Sequence, residues 1–297
     1  MFRYNNINIT LENYGKVFNG VSPDVLDEIR SAILDDTPIG KYINLYIEDD
    51  FTLGQTRKAI REYVPIEYLN AKLPGIVLKN VRLGLKKGYD MAYILDYAND
   101  KGLLLDAESL EIISNFMAIG INVSGVDFKK VPKSQVALYC KGLSYHYPMW
   151  LLLDSNLTDE KLELMMRGMQ LGIDIHPFLS NDWNDSVIVT LFSNHTKIDI
   201  NAFLELISPR FSNEEIKILI SLYKDNLPIE PLCVKDTDGN PVYNMYQMDA
   251  LAEATRQDLL TSQMLNPSYS DMDLYEMIKA EKKERNRKLS VSFNKNT

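Results

Sequence analysis

Apolar residues recur along this chain at helical spacing, in runs of three turns or so that break off at a glycine, proline or aspartate. In "IVLKNVRLGLKKGYDMAYI" (Ile76–Ile94), Val77, Leu78, Val81 and Leu85 fall on one helical face. Gly88 stands where that helix should stop, because glycine alone adopts the left-handed C-terminal conformation without cost. Tyr89 then supplies the apolar contact that often accompanies such a stop. Asp90 can cap the first turn of a second, shorter helix through its carboxylate, and Met91 and Ile94 turn that helix inward. The two glycines around Lys86 and Lys87 are therefore helix punctuation. A phosphate loop would need Gly-Lys-Ser/Thr between a strand and a helix, whereas Gly88 is followed by Tyr89 and Asp90.

The same frame returns along the chain. Taking Asp90 as an anchor, equivalent anchors are Pro38, Pro65, Asn122, Pro148, Asp174, Asp199 and Pro228, with a weaker ninth copy on Asp258. Successive anchors lie 27, 25, 32, 26, 26, 25, 29 and 30 residues apart, a range too narrow for unrelated segments. The residue after each anchor is apolar. The residue six before it is small in most copies (Ala32, Ala59, Gly84, Gly142, Gly168, Ser193, Ala252), with Phe116 and Leu222 as exceptions. A small residue there lets another helix approach closely. Proline suits the anchor because it cannot continue the first helix and its fixed φ helps start the second.

First helices are expected to start at Ser22, near Asp106, at Thr158 and at Ser212, each a capping residue followed by acids. Ser270 opens a tenth, incomplete copy. A copy of one long and one short helix cannot bury its apolar face alone, so neighbours must stack. The expected fold is all-α: an α-solenoid of about nine short helix-pair repeats with a C-terminal capping helix. Residues 1–24 form an N-terminal cap, 25–278 the solenoid, and 279–297 a basic tail, frayed and then disordered. "NDKGLLLDAES" lengthens the third spacing. "CVKDTDGNPVYNMY" (233–246) predicts a loop or hairpin turning at Asp238-Gly239.

These copies resemble a degenerate helical repeat of Firmicutes bacteria and of their phages and mobile elements, which reads roughly Ile-Arg-x-Gly-Leu-x-x-Gly-Leu-Asp-Val. "VRLGLKKGYDMAYI" is the nearest copy, with "MRGMQLGIDIHPF" and "DEIRSAIL" after it. The resemblance covers about residues 25–278. It implies the stacked architecture and a phage or mobile-element origin, and no particular activity.

Composition narrows the functional classes. Of 297 residues, 45% are apolar and the net charge is −9, so the surface as a whole is not built to coat a nucleic-acid backbone. Two cysteines argue against a disulfide framework and for a reducing compartment. No apolar run is long enough to span a membrane, and the N-terminus carries no signal pattern, so a cytoplasmic location is expected.

Little points to catalysis. His146, His176 and His195 occupy three different positions of the frame, and none is paired at metal-ligand spacing. Cys140 falls where other copies carry Met166, Leu191 and Ile220, as a small buried thiol would; Cys233 has no activating partner. Asp236-x-Asp238-x-Asn240 hints at a calcium loop. Pro241 replaces the needed glycine, however, and Gln247 the bidentate glutamate, which favours a solvated turn. We therefore expect a non-enzyme with no cofactor or metal.

Binding surfaces are the better candidates. Arg30, Arg57 and Arg82 share the position eight before the anchor, so stacking would align them as a ladder, with Lys58, Arg61, Lys86 and Lys87 on the same helices. That stripe can grip carboxylates or phosphates. Equally, the arginine stems can simply cover the core edge. Tyr145, His146 and Trp150, within "YCKGLSYHYPMW", can anchor a partner or join the core beside Tyr139 and Tyr147. The expected role is a protein-interaction scaffold, extended by the resemblance to a phage or mobile-element factor that inhibits a host defence protein. Binding nucleic acid through the stripe and tail is the alternative.

Overall fold

The computed structural model describes residues 1–99, 102–180 and 182–293; Asp100 and Lys101, within the lengthened third spacing, lie outside it. It is mostly helical. The chain divides into two compact units, Met1–Asp159 and Glu160–Thr297.

The N-terminal unit opens with strands β1 (Phe2–Tyr4) and β2 (Ile7–Ile9), paired with Phe2 opposite Ile9. Asn5 and Asn6 both take positive φ, as a two-residue hairpin turn requires. Within the expected N-terminal cap of residues 1–24 a hairpin, not a helix, comes first: Phe2 and Ile9 are buried in the core, and the hairpin supplies them. A short helix, α1 (Tyr14–Val17), comes next. The long helices are α2 (Pro23–Leu34), α4 (Asp50–Arg61), α6 (Gly75–Lys86), α7 (Ala107–Ala118) and α8 (Val136–Ser144). Each packs against the next: α2 on α4, α4 on α6, α6 on α7, α7 on α8. Between them lie α3 (Gly40–Ile43), α5 (Ile66–Asn70) and 3₁₀ turns at Ala92–Tyr97 and Met149–Leu152. A small hairpin, β3 (Ala98–Asn99) and β4 (Gly102–Leu103), fills the lengthened spacing.

The C-terminal unit contains α9 (Asp159–Gln170), α10 (Asp185–Ser193), α11 (Ile200–Leu206), α12 (Asn213–Lys224), α13 (Met245–Arg256) and α14 (Asp271–Phe293). Here α10 packs on α12, α12 on α13, and α13 on α14. Phe178 sits edge-on against Phe192 at 5.2 Å and beside Trp183.

Helix starts obey the sequence. Ser22 accepts from the Val25 N–H and Asp106 from those of Glu108 and Ser109, while Ser212 and Glu215 close a capping box. Asn244 and Gln247 close another, so Gln247 opens α13 instead of holding an ion. Asp236 is likewise committed, its carboxylate accepting from the N–H groups of Asp238 and Asn240 in a turn that ends in the Lys235–Pro241 bridge.

Helix ends share one geometry. The N–H one before the anchor reaches the carbonyl six before it: Thr37 to Ala32, Val64 to Ala59, Tyr89 to Gly84, Ile121 to Phe116, Tyr147 to Gly142, Ile173 to Gly168 and Leu227 to Leu222, at 2.8–3.1 Å. In each the residue two before the anchor has positive φ, which lets the chain reverse and satisfy the orphan carbonyls. Asp90, Asn122, Asp174 and Asp199 then cap the succeeding turn through their side chains. Leu259 makes the same bond to Ala254, and Asp258 is the positive-φ residue. The ninth anchor is therefore Leu260, two residues later than expected, and Met264 is the buried residue four beyond it. The seventh copy departs: Asn194 turns the chain without a positive φ, its amide donating back to the Thr190 carbonyl.

Two further expectations change. The small residue six before the anchor makes room first for its own copy: a Cβ on Gly84 would collide with Met91 Sδ, and one on Gly142 with Met149 Sδ. At Gly168 a Cβ would meet both Ile175 and Phe192, the latter on the next helix. The short second helix is in several copies only a 3₁₀ turn, and the fourth copy has none. There Tyr97 donates to the Tyr93 hydroxyl, which donates to the Val126 carbonyl, while the Phe128 N–H donates to Tyr97. The tyrosine pair holds residues 121–132 in place of a helix.

The charged helix end expected in the tail extends further than its frayed start. Helix α14 runs unbroken to Phe293; residues 294–297 lie outside the described part. Leu274 and Ile278 are buried, and Arg285 donates to the carbonyls of Gln257 and Asp258, the free C-terminal end of α13. Part of the basic run is thereby tied down as a helix cap. Among the described residues no helix is long and apolar enough to cross a membrane.

Candidate functional site

The arginine ladder is a set of stitches between successive helices. Arg57 on α4 donates through Nε to Glu28 on α2 at 2.8 Å, and through its end nitrogen to Asp35. Arg61, one turn on, also reaches Asp35, at 3.0 Å. Arg82 on α6 repeats the arrangement one step along: it pairs with Glu62 at 2.5 Å and approaches Gln55 on α4 at 3.4 Å. The partners are equivalent, since Glu28 and Gln55 lie ten before their anchors and Asp35 and Glu62 three before. Asn80, ten before Asp90, donates to Ser114, eight before Asn122. The stitch passes from ionic to neutral along the unit. Further on, the position eight before the anchor is Cys140, then Met166, Leu191 and Ile220, all buried. Cys140 is the apolar thiol expected, its pKa pushed up to about 12 by burial; burial does the same to Cys233.

The side chains of Arg57 and Arg82 are each only 11% exposed, and carboxylates of this same chain neutralise much of the stripe. Arg30 is exposed on α2 and makes no ion pair among the described residues; Lys58 and Lys86 are exposed too. Lys87 reaches the Ala118 carbonyl at the end of the next helix. Sequence reasoning missed Glu28, Gln55 and Glu62. The polar position ten before the first three anchors was the available signal.

One stitch is incomplete. Arg57 and Arg61 face two carboxylates, Glu28 and Asp35. Arg82 pairs with one, Glu62, because Gln55 stands where Glu28 does, and its equivalent neighbour Lys86 lines the same cleft. The consequence is specific: Arg57 Nε has an acceptor, whereas Arg82 Nε is buried with none. Beside it opens a cleft of about 410 Å³ lined by Glu62, Tyr63, Val64, Pro65, Arg82, Leu85 and Lys86.

The connecting turns carry the second feature. Tyr63, Ile66, Tyr89, Ile119, Tyr145 and Trp150 are all exposed, and all lie within three residues of an anchor in copies two to five. The helix ends that bear them are neighbours, since Asp35 meets Arg61, Lys87 meets Ala118, and the Tyr89 ring covers Gly120. Tyr63 is 92% exposed. It also holds a positive φ of 55°, at a position where the next two copies carry Gly88 and Gly120. An aromatic in that conformation is strained by about 1 kcal/mol or more.

The aromatic segment of the fifth copy divides. Tyr139 and Met149 are buried, and Tyr147 is half-buried with its ring 5.6 Å from Tyr145. Tyr145 and Trp150 are 56% and 55% exposed. His146 is the positive-φ residue of its turn, exposed, and owes its place to the helix stop. His176 lies against Asp174 at 2.7 Å and His195 against the Phe192 carbonyl, each within its own turn. Among the described residues no group of three His, Cys, Asp or Glu is placed to hold a metal ion.

Compared with known proteins, the chain matches no family model, no curated protein and no solved structure.

Proposed function

We propose that this protein is a non-enzymatic interaction scaffold of the helical-repeat, α-solenoid kind, and that it docks a protein partner along the connecting turns of its N-terminal unit. The observation that carries this reading is the set of exposed apolar side chains from Tyr63 to Trp150, at least one of them within three residues of the anchor in each of four consecutive copies. Aromatic side chains held on a rigid frame contribute large contact area at little entropic cost. Nucleic acid is the less favoured partner, because Arg57, Arg61 and Arg82 already hold carboxylates.

The test is capture from nuclease-treated lysate by immobilised protein, run beside a variant with Ile66, Tyr145 and Trp150 changed to Ser. A stoichiometric protein held by the wild type and lost from the variant is expected. Retention by both would remove the turns from the interface, and ribonucleoprotein captured only without nuclease would favour the nucleic-acid reading. A narrower form, inhibition of a host defence protein by a phage or mobile-element factor, rests on the repeat resemblance. It draws on the −11 charge of residues 160–278, which carry eight basic and nineteen acidic side chains. Charge mimicry of nucleic acid predicts inhibition that fades with salt.

A further inference from the structure

We propose that the cleft beside Arg82 is a carboxylate-binding subsite, which takes an acidic group next to an apolar one on a partner segment. This inference rests on the docking reading above and names the chemistry at one point of that surface.

The neighbouring stitch defines what is missing. Around Arg57 and Arg61, two cations meet two carboxylates. Around Arg82, Glu62 is the one carboxylate paired, the place of the second is taken by the neutral Gln55, and Lys86 lines the same cleft with no ion pair among the described residues. The site therefore carries one uncompensated positive charge and a buried Nε–H without an acceptor. Burying an arginine donor without a partner is costly, so the arrangement favours whatever brings in negative charge. Lys86 is exposed, Arg82 lines the cleft, and together they present donors to an incoming anion.

The rim fixes the rest of the ligand. Val64, Pro65 and Leu85 make the wall apolar, and Tyr63 stands at its mouth. In the first copy the residue equivalent to Tyr63 is Asp36, whose carboxylate pairs with the N-terminal amine. The second copy thus lacks acids at two places where the first has them, and at one of the two it puts a strained, exposed aromatic ring. A volume of about 410 Å³ holds one or two side chains and excludes a folded domain. An acidic side chain or chain end beside an aromatic or aliphatic residue meets both requirements.

The probe is 3-phenylpropionate, titrated into the full-length protein labelled with ¹⁵N-arginine. The Arg82 Nε–H signal is assigned by its absence in Arg82→Lys. Saturable movement of that signal is expected, with 3-phenylpropanamide at least about tenfold weaker, since losing one charged contact costs this much or more. Gln55→Glu supplies the missing carboxylate from within. It should weaken the probe about tenfold without lowering the melting temperature, so that loss of binding is not loss of fold. Tyr63→Gly, which relieves the strained φ, should weaken it severalfold with the fold intact. No movement in the wild type, equal binding of the amide, or unchanged binding by Gln55→Glu would overturn the proposal. So would displacement by equimolar inorganic phosphate, which would make the site a phosphate site. The scaffold reading stands or falls separately, on capture by the Ile66/Tyr145/Trp150 variant.

Discussion

The two compact units build their connecting turns from the same backbone and put opposite side chains on them. Both use the bond that closes a helix end onto the carbonyl six before the anchor, as at Tyr89 and at Leu227. In the N-terminal unit Tyr63, Ile66, Tyr89, Ile119, Tyr145 and Trp150 face solvent at these turns. In the C-terminal unit the corresponding stretches expose His176, Lys197, Asn226 and Glu230; the residue after the anchor is buried in both units (Ile39, Met91, Val123 and Met149; Ile175, Ile200 and Ile229), with Ile66 the exception. The helix contacts differ as well. The first copies join through Arg57–Glu28 and Arg82–Glu62, whereas the equivalent arginine positions in the last copies hold Leu191 and Ile220. Charge differs little: residues 1–159 have 17 basic and 20 acidic side chains, and residues 160–297 have 15 basic and 21 acidic, with the acids concentrated before residue 279. A backbone that needs only a helix stop leaves its turn free for other work, and only the N-terminal unit spends apolar surface there.

The sharpest way to break this contrast is to make the same substitution at one position of the frame in both units. Ile229→Ala should cost about 2–4 kcal/mol, because a buried isoleucine loses its contacts and leaves a cavity. Ile66→Ala, also one after its anchor but half-exposed, should stay within about 0.5 kcal/mol while weakening partner capture. Chemical denaturation of the two variants decides; a large loss in Ile66→Ala would make that side chain structural.

The stitches come next in size. Glu28→Ala leaves Arg57 Nε without its acceptor while the pair with Asp35 remains, and should cost about 2 kcal/mol, as hydrogen bonds to charged groups do. Gln55→Glu should instead raise stability by about 1 kcal/mol, by giving Arg82 Nε its acceptor. Opposite melting shifts, the loss larger than the gain, would show that the two sites differ in that carboxylate; a destabilising Gln55→Glu would refute the equivalence.

These partners also mark the limit of what could be read from the chain. The helix stop at Gly88 and caps at Ser22, Asp106 and Ser212 were legible, because each is fixed by residues a few positions apart. Arg57 was legible as a recurring arginine, yet its partners Glu28 and Asp35 lie 29 and 22 residues back and depend on how one helix registers against the next. The same limit hid the hairpin of Phe2–Ile9, whose strands are three residues each. The ninth copy misled because Asp258 has the side chain of an anchor but takes the left-handed position, which aspartate tolerates. Exposure at Tyr63 and Trp150 was not readable, since aromatics near a helix stop are as often buried, as Tyr139 is.

Acid should reveal a smaller difference. Hydrogen bonds from Ser109, helped by Lys133, hold the Asp106 carboxyl down at about 2. Its folded value lies below the unfolded one of 3.8, so its contribution is complete above pH 3.8 and is lost as pH falls toward 2. Asp106 is 42% exposed, so solvent screening limits the contribution to about 0.5–1 kcal/mol. Asp106→Ala should therefore lower stability at pH 6 and flatten the acid limb between pH 4 and 2; an unchanged limb would put the titration elsewhere. Smallest of all, Tyr63→Gly should stabilise by a few tenths of a kcal/mol, strain relief slightly exceeding the added freedom of the unfolded chain. Gly172→Tyr, at the matching place in the C-terminal unit, should destabilise by about 1 kcal/mol.

The direct measurement is hydrogen exchange on the full chain with and without the protein it captures. Docking on the N-terminal turns predicts protection confined to amides of residues 62–66, 87–91, 119–123 and 145–150, with the turns at 172–176 and 226–230 unchanged. Protection centred on the C-terminal unit, with the N-terminal turns exchanging as in the free protein, would contradict it.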